Sequence, residues 1–325
     1  MFDRIVSDAA IGGHSNPWTI DGNGTRHFHV DFEVLHRLLG VPLYLKATPR
    51  SGVPALALDV WVAYELRRAG FDPDAVWPRA EVPRILPGSI SQLLSGLNNK
   101  EKEPLLAKLK SGNTLGGAVG ASAKMLGKNY EKQVDVVVSS WQAGAELMIS
   151  TKRMDSSFGK NAANRVEESY GDAKNLRSRH PQSALGFVYG LRSTIYLKEE
   201  SQANWIVDLL GKLGREDDAY DAVALLILDY GADFVPEDSD EVVDNPLVAA
   251  GLVPDETEGE LVPVEPSYVD QALAALPPVT LLHDKVPREL EPGRFFEVMV
   301  NRILDNCPIN FHDQARRVRA GAQPA

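Results

Sequence analysis

Residues 134–179 constrain the fold most, because two apolar runs and a long polar segment follow one another there. The first run, 134–138, is rich in valine and carries one acid, Asp135. The loop WQAGA separates it from the second run, 146–152, which ends in Lys152. Valine and isoleucine favour strands, and short glycine-containing loops join the strands of hairpins. The stretch therefore predicts a β-hairpin with an acid on one strand and a lysine on the other.

The segments after this hairpin indicate the fold class. A polar helix is expected next, with Asp155 or Ser156 as its N-cap. Apolar runs at 184–191 and 222–228 predict two further strands, and the pattern around 205–210 predicts a helix between them. Strands alternating with helices in this order are typical of an α/β fold, in which a mixed sheet is flanked by helices.

The flanking segments suggest a division into two parts. Helical patterns at 54–70 and 89–110 precede the hairpin. We predict a mainly helical N-terminal region, 1–90, and a second domain, 91–325. The latter contains an acidic loop, 233–260, with ten Asp or Glu and no Lys or Arg.

The charge of the chain is unevenly distributed. The net charge is −11, yet residues 100–200 hold 16 Lys and Arg against 11 Asp and Glu. Phosphate contact is local, because charges beyond a Debye length of about 8 Å are largely screened. A basic middle on an acidic body is compatible with DNA binding, and it is equally compatible with ordinary solvated faces.

Composition narrows the class of protein. The single cysteine, Cys307, permits no internal disulfide and no zinc cluster built from cysteines. No apolar run approaches the roughly 20 residues of a membrane helix, and the N-terminus does not have the layout of a signal peptide. We therefore expect a cytoplasmic protein that does not interact with membranes.

A second chemical feature lies near the N-terminus. His27, His29 and Asp31 alternate with apolar residues, as the side chains on one face of a strand do. Such a face could bind a transition metal, or it could be the solvent face opposite a core face.

The hairpin itself carries groups suited to phosphodiester hydrolysis. In a strand Ser150 and Lys152 share one face, so both would point towards Asp135 on the paired strand. Carboxylates can hold Mg²⁺, which prefers oxygen ligands, and a lysine can act on the attacking water or offset phosphate charge.

Asp135, the hairpin and the triplet Ser150-Thr151-Lys152 resemble the PD-(D/E)XK superfamily of restriction-endonuclease-like nucleases. The resemblance covers roughly residues 124–230. It implies a restriction-endonuclease-like sheet, a Mg²⁺ cofactor, and catalytic roles for Asp135 and Lys152.

The triplet departs from the family pattern, because Ser150 occupies the position of an acid. Some members of the superfamily supply this carboxylate from the following helix, where Glu167 would fill the role and Glu168 is its neighbour. Glu146 is a third candidate, although it lies about 13 Å along the strand from Ser150. If none of these acids reaches the metal, the protein would bind DNA without cutting it.

Polar side chains on and before the helix are candidate contacts to phosphates or base edges. They are Arg153, Lys160, Asn161, Asn164, Arg165, Lys174, Asn175, Arg177 and Arg179. An ordinary hydrated helix surface is the alternative interpretation.

The resulting hypothesis is a Mg²⁺-dependent, sequence-specific double-stranded DNA endonuclease of a restriction or defence system, acting as a homodimer. Residues 1–90 would then add DNA contacts or dimer surface. The alternatives are an inactive DNA-binding module of the same fold, and a metal hydrolase that uses His27, His29 and Asp31.

Overall fold

The computed structural model describes residues 1–48, 51–110, 123–156, 158–231 and 266–322. Its strands are β1 (Trp18–Ile20), β2 (Arg26–Phe28), β3 (Val76–Trp77), β4 (Ala123–Leu126), β5 (Glu131–Val134), β6 (Val136–Ser140), β7 (Gly144–Met154), β8 (Ala184–Arg192), β9 (Ala222–Asp229) and β10 (Thr280–Leu281). Its α-helices are α1 (Phe2–Ala9), α2 (Phe32–Tyr44), α3 (Val53–Arg68), α4 (Gly88–Gly96), α5 (Asn99–Lys110), α6 (Phe158–Arg179), α7 (Ile195–Lys198), α8 (Glu200–Leu213), α9 (Pro266–Ala274), α10 (Pro292–Asn306) and α11 (Asp313–Arg319).

The centre of the fold is a six-stranded mixed sheet with the order β10-β9-β8-β7-β6-β3. Strands β6 and β7 form the predicted antiparallel hairpin. Strands β7, β8 and β9 are parallel, and α6 and α8 lie in the crossover connections between them. The predicted α/β class, a mixed sheet flanked by helices, is therefore confirmed.

Helices cover both faces of this sheet. Along β7, Leu147 and Ile149 face the core that contains α3 and α10, whereas Met148 faces the core that contains α6 and α8. Strand β8 is buried at every position, as expected for a parallel strand covered on both faces. The end of the hairpin where Asp135 lies is thus bordered by α3 on one face and α6 on the other.

The residues before position 90 share a core with the sheet. Strand β3 pairs with β6 at the edge of the sheet. Ile5, Leu35 and Trp61, from α1, α2 and α3, belong to the same buried cluster as Val188 of β8. The predicted acidic loop, 233–260, lies outside the described residues.

The predicted strand through His27, His29 and Asp31 is wrong in its second half. Strand β2 ends at Phe28, and α2 begins at Phe32. Asp31 is the N-cap of that helix, where its Oδ1 accepts a hydrogen bond from the backbone N–H of Val34. A capping carboxylate satisfies an N–H that has no partner within the helix, and this local preference ends the alternating pattern.

Across the described ranges, every helix is too short or too polar to cross a membrane.

Candidate active site

Asp135 lies at a bend between β5 and β6. The register pairs Val136 with Ile149, so Asp135 comes opposite Ser150. Its Oδ2 accepts a hydrogen bond from the backbone N–H of Thr151 at 2.8 Å. The carboxylate thus takes the place of a main-chain carbonyl at the end of the strand ladder, which fixes its position beside β7.

A second carboxylate reaches the same point from helix α3. The Thr151 hydroxyl donates a hydrogen bond to Asp59 Oδ1. Helix α3 lies against β7 with Leu58 fully buried, and the glycine at 190 on β8 lets the Leu58 side chain approach closely. Packing of this helix therefore delivers Asp59 to Thr151, and Thr151 holds both Asp59 and Asp135.

The two carboxylates perturb each other electrostatically. Burial raises the pKa of Asp59 well above its usual range, and the charge of Asp135 raises it further. Burial also raises the pKa of Asp135, while the Lys152 ammonium and the Thr151 N–H act in the opposite direction. Like charges held together in a partly buried site favour a shared proton or a bound cation. The arrangement can therefore hold a divalent metal.

Ser150 and Lys152 lie on the α6 side of β7, as the alternation of the strand requires. Ser150 is buried and hydrogen-bonds the phenol of Tyr220. Lys152 is partly exposed and lowers the pKa of both Asp59 and Asp135. Lys152 is thus the positively charged residue of the triplet, and it acts on the acid pair formed by Asp59 and Asp135.

Helix α6 contributes an acid to this region, but it is Asp172. Lys132 Nζ pairs with Asp172 Oδ2 at 2.6 Å, and the charge of Asp172 raises the pKa of Asp135. Glu167 is exposed and lines a groove between α6 and α8 with Trp205. The helix turns Glu167 away from the hairpin, because residues on its buried face recur every three to four positions.

The neighbouring candidates, Glu168 and Glu146, are also placed elsewhere. Glu168 is exposed and pairs with Arg165 at 3.2 Å. Glu146 contacts Cys307 and His312 from the loop between α10 and α11. Burial works to raise the pKa of Glu146, but hydrogen bonds from His312, Cys307 and the hydroxyl at position 140 outweigh it, and the pKa is lowered.

Two of the predicted DNA-contacting arginines are structural in this fold. The Arg153 side chain is only 3% exposed and makes a bidentate hydrogen bond to Asp155. Arg177 pairs with Asp221 at 2.7 Å and donates to the carbonyl of Ser183. These guanidiniums do not fit the predicted phosphate contacts, because each is largely buried and paired with an acid of the fold, at 3% and 13% side-chain exposure.

Asn175 is likewise committed to the fold. It is buried, and its side chain bonds the backbone of Asn129 and Tyr130 in the turn between β4 and β5.

Other predicted contacts remain at the surface. Asn164 and Arg179 are exposed on α6. Lys174 is exposed too, and its Nζ lies 2.6 Å from Asp218. The side chains of Lys160 and Asn161 lie outside the described residues.

The β4–β5 hairpin adds lysines that the sequence interpretation had not assigned. Lys124 and Lys128 are exposed, and Lys132 pairs with Asp172 beside Asp135. Of these three lysines, Lys132 acts on Asp135, and the other two add positive charge to the exposed surface of the same hairpin.

The N-terminal histidine cluster does not converge on one point. His27 lies 3.4 Å from Asp21, and His29 hydrogen-bonds the hydroxyl of Thr19. Asp31 accepts from Val34 and from Tyr64. Each side chain has its own partners, because only His27 belongs to strand β2.

Sequence reasoning missed Asp59 and Asp172. Asp59 is an acid in the middle of an otherwise apolar helical run, 54–64, which is an identifiable signal. Nothing local links that helix to the hairpin, which lies far along the chain, and Asp172 is one of several acids in a polar helix. Their proximity to Asp135 is a tertiary result.

No family model matches this chain. No curated protein and no solved structure matches it either. Its function must therefore be argued from the geometry of the acid pair and the residues around it.

Proposed function

We propose that the chain is a divalent-metal-dependent nuclease of PD-(D/E)XK type that hydrolyses phosphodiesters in double-stranded DNA. The observation that carries the proposal is the meeting of Asp59 and Asp135 at Thr151, beside Lys152. An acid opposite a strand triplet that ends in lysine is the constellation that the resemblance implies. Asp59 supplies the second carboxylate that Ser150 cannot provide.

The donor set suits magnesium. Asp59 and Asp135 offer carboxylate oxygens, and Mg²⁺ is held by one or two carboxylates while it retains several waters. Burial raises the pKa of both acids, and a cation would relieve the repulsion between them. When bound, the ion would stabilise charge on the phosphate and lower the pKa of a bound water.

Protein groups would perform the remaining tasks. Lys152 would orient the attacking water or offset charge on the phosphate, since its ammonium already acts on both carboxylates. Thr151 would keep the two carboxylates in register through its N–H and hydroxyl. Asp172 and Lys132, paired at 2.6 Å, would border the site from α6 and the β4–β5 hairpin.

DNA would approach over the surface formed by α6 and the β4–β5 hairpin. Exposed Arg179, Lys124 and Lys128 are candidates for phosphate contacts, because such contacts need accessible cations. Cleavage of both strands of a palindromic site would further require a two-fold homodimer.

A second candidate is a DNA-binding module that does not cut. It is favoured by the burial of Ser150 against Tyr220, which fills the family's acid position with a hydroxyl. Under this proposal, substitution of the surface lysines would weaken DNA binding, whereas substitution of Asp59 or Asp135 would change only the stability of the fold.

The deciding experiment is incubation of unmodified and modified plasmid and phage DNA with the full chain and Mg²⁺. The Asp135→Asn variant is assayed in parallel. Discrete fragments from the wild type alone would support the nuclease. Binding by both proteins without fragments on any DNA would favour the module, and absence of binding would reject both.

A further inference from the structure

The C-terminal helices meet strand β7 at three side chains with metal-ligating atoms: Glu146, Cys307 and His312. Their donor atoms all lie within 4.8 Å of one another. Glu146 Oε1 accepts from Cys307 Sγ at 3.0 Å and from His312 Nε2 at 2.7 Å. The group lies about 13 Å along β7 from Ser150, so it is separate from the candidate active site.

A β-bulge gives Glu146 its direction. Val138 pairs with Leu147, but the next residue, Ser139, pairs with Ala145. Glu146 is therefore the extra residue on β7, and its side chain reaches the end of α10. Bulges re-aim single side chains in this way and often lie beside functional sites.

The Glu146 carboxylate is buried and only partly satisfied. Its residue is 6% exposed, and Oε2 makes no hydrogen bond of ordinary geometry among the described residues, although the Ser140 hydroxyl also acts on this carboxylate. Leaving a buried acceptor without a partner typically costs about 1–3 kcal/mol, and more for a charged group. This oxygen therefore points to a ligand that is itself positively charged.

The loop that carries the other two donors is held in place. Arg316 donates to the carbonyl oxygens of Leu304 at 2.7 Å, Cys307 at 2.9 Å and Phe311 at 2.8 Å. His312 adopts the left-handed backbone conformation, with φ of 57°. Cys307 and His312 are thus presented to Glu146 by a fixed loop.

We propose that Glu146, Cys307 and His312 bind one zinc-class divalent cation that ties β7 to α10 and α11. Imidazole nitrogen, thiolate sulfur and carboxylate oxygen are the ligands of tetrahedral zinc, with bonds of about 2.0–2.3 Å. Such bonds place donors roughly 3.3–3.8 Å apart. The three donors reach this spacing with small side-chain movements. Magnesium, which prefers oxygen, would not select this set.

Cobalt titration of the full chain tests this site directly. Cys307 is the only cysteine, so a thiolate-to-cobalt charge-transfer band can arise from this residue alone. We expect the band to saturate at one equivalent of Co²⁺ and to disappear when Zn²⁺ is added. Cys307→Ser should remove the band, and the thermal midpoint of the wild type should rise with Zn²⁺.

Conservative variants distinguish a site with three metal ligands from a thiol that binds cobalt alone. Glu146→Gln keeps the shape of the side chain. His312→Asn keeps the backbone conformation at position 312, because asparagine tolerates the left-handed region. Each should weaken cobalt binding by more than about tenfold, because loss of an outer-shell partner alone typically costs about 10- to 100-fold in metal affinity. Asp135→Asn, in the candidate active site, should leave the titration unchanged. Far-ultraviolet circular dichroism checks that every variant is folded.

Two results would overturn the proposal. One is the absence of the charge-transfer band together with no one-equivalent binding of Zn²⁺ by calorimetry. The other is a band of unchanged affinity in folded Glu146→Gln and His312→Asn, which would mean that the thiol alone binds cobalt.

Discussion

The carboxylates of Asp59 and Asp135 meet at Thr151, although one lies on helix α3 and the other at the bend between β5 and β6. The backbone N–H of Thr151 donates to Asp135 at 2.8 Å, and its hydroxyl donates to Asp59. One residue of β7 therefore aligns two acids from distant parts of the chain. Lys152, the next residue along the strand, acts on the pKa of both.

The first prediction concerns which acid completes the candidate site. Asp59→Asn should lower DNA cleavage about 10²-fold or more, since a carboxylate that holds the metal contributes several kcal/mol of transition-state stabilisation. Glu167→Gln is the matched control and should cleave like the wild type, because Glu167 lies in the groove between α6 and α8. Rates under single-turnover conditions with Mg²⁺ measure both effects. A loss of cleavage in Glu167→Gln but not in Asp59→Asn would instead assign the metal site to Glu167.

The second prediction concerns Lys152. Lys152→Ala should reduce the cleavage rate about 10²- to 10⁴-fold, the range for loss of a group that acts on the attacking water. Lys174→Ala removes an exposed lysine paired with Asp218 and should change the rate little. Equal losses in the two variants would indicate a general effect of positive charge and would count against a specific role for Lys152.

The third prediction is that Arg153 stabilises the fold. Arg153→Ala leaves Asp155 without its bidentate partner in a nearly buried position, where the two side chains are 3% and 8% exposed. Breaking a buried pair of this kind typically costs about 3–5 kcal/mol of unfolding free energy. Urea denaturation should reveal this loss, whereas Arg179→Ala, at an exposed position, should stay within about 0.5 kcal/mol of the wild type. If Arg153→Ala were as stable as the wild type but bound DNA more weakly, the predicted contact between Arg153 and a phosphate would be supported instead.

The fourth prediction concerns pH. Glu65 is fully buried, and burial raises its pKa to about 7 although Arg68 opposes this shift. The folded protein therefore holds this proton more tightly than the unfolded chain does. The stability that protonated Glu65 contributes is complete below the unfolded pKa of about 4.5 and is lost as pH rises through about 7.

Glu65→Gln tests this linkage, because glutamine cannot ionise. The variant should resemble the wild type near pH 5 and become more stable relative to it by about 1–3 kcal/mol at pH 8. Guanidinium unfolding of both proteins from pH 5 to pH 8 gives the difference directly. A difference that is flat or that falls with pH would show that Glu65 is already ionised in the folded protein.

Local sequence signals predicted the hairpin and the parallel strands well. Apolar runs and β-branched residues identified β6, β7, β8 and β9, and the helix after β7 followed from its polarity. The strand predicted through His27, His29 and Asp31 ends already at Phe28, because Asp31 is the N-cap of α2 and hydrophobic alternation alone does not reveal a cap.

The sequence by itself determined the succession of strands and helices along the chain from the hairpin onward, and it brought Asp135, at the bend before β6, opposite the strand that carries Lys152. Both are local properties, set by side-chain period and chain connectivity. Tertiary structure alone decided that Asp59 joins Asp135, that Glu167 faces away, and that Glu146 meets Cys307 and His312. The physical reason is that helix packing and a β-bulge fix these directions, and neither leaves a periodic signal in the sequence.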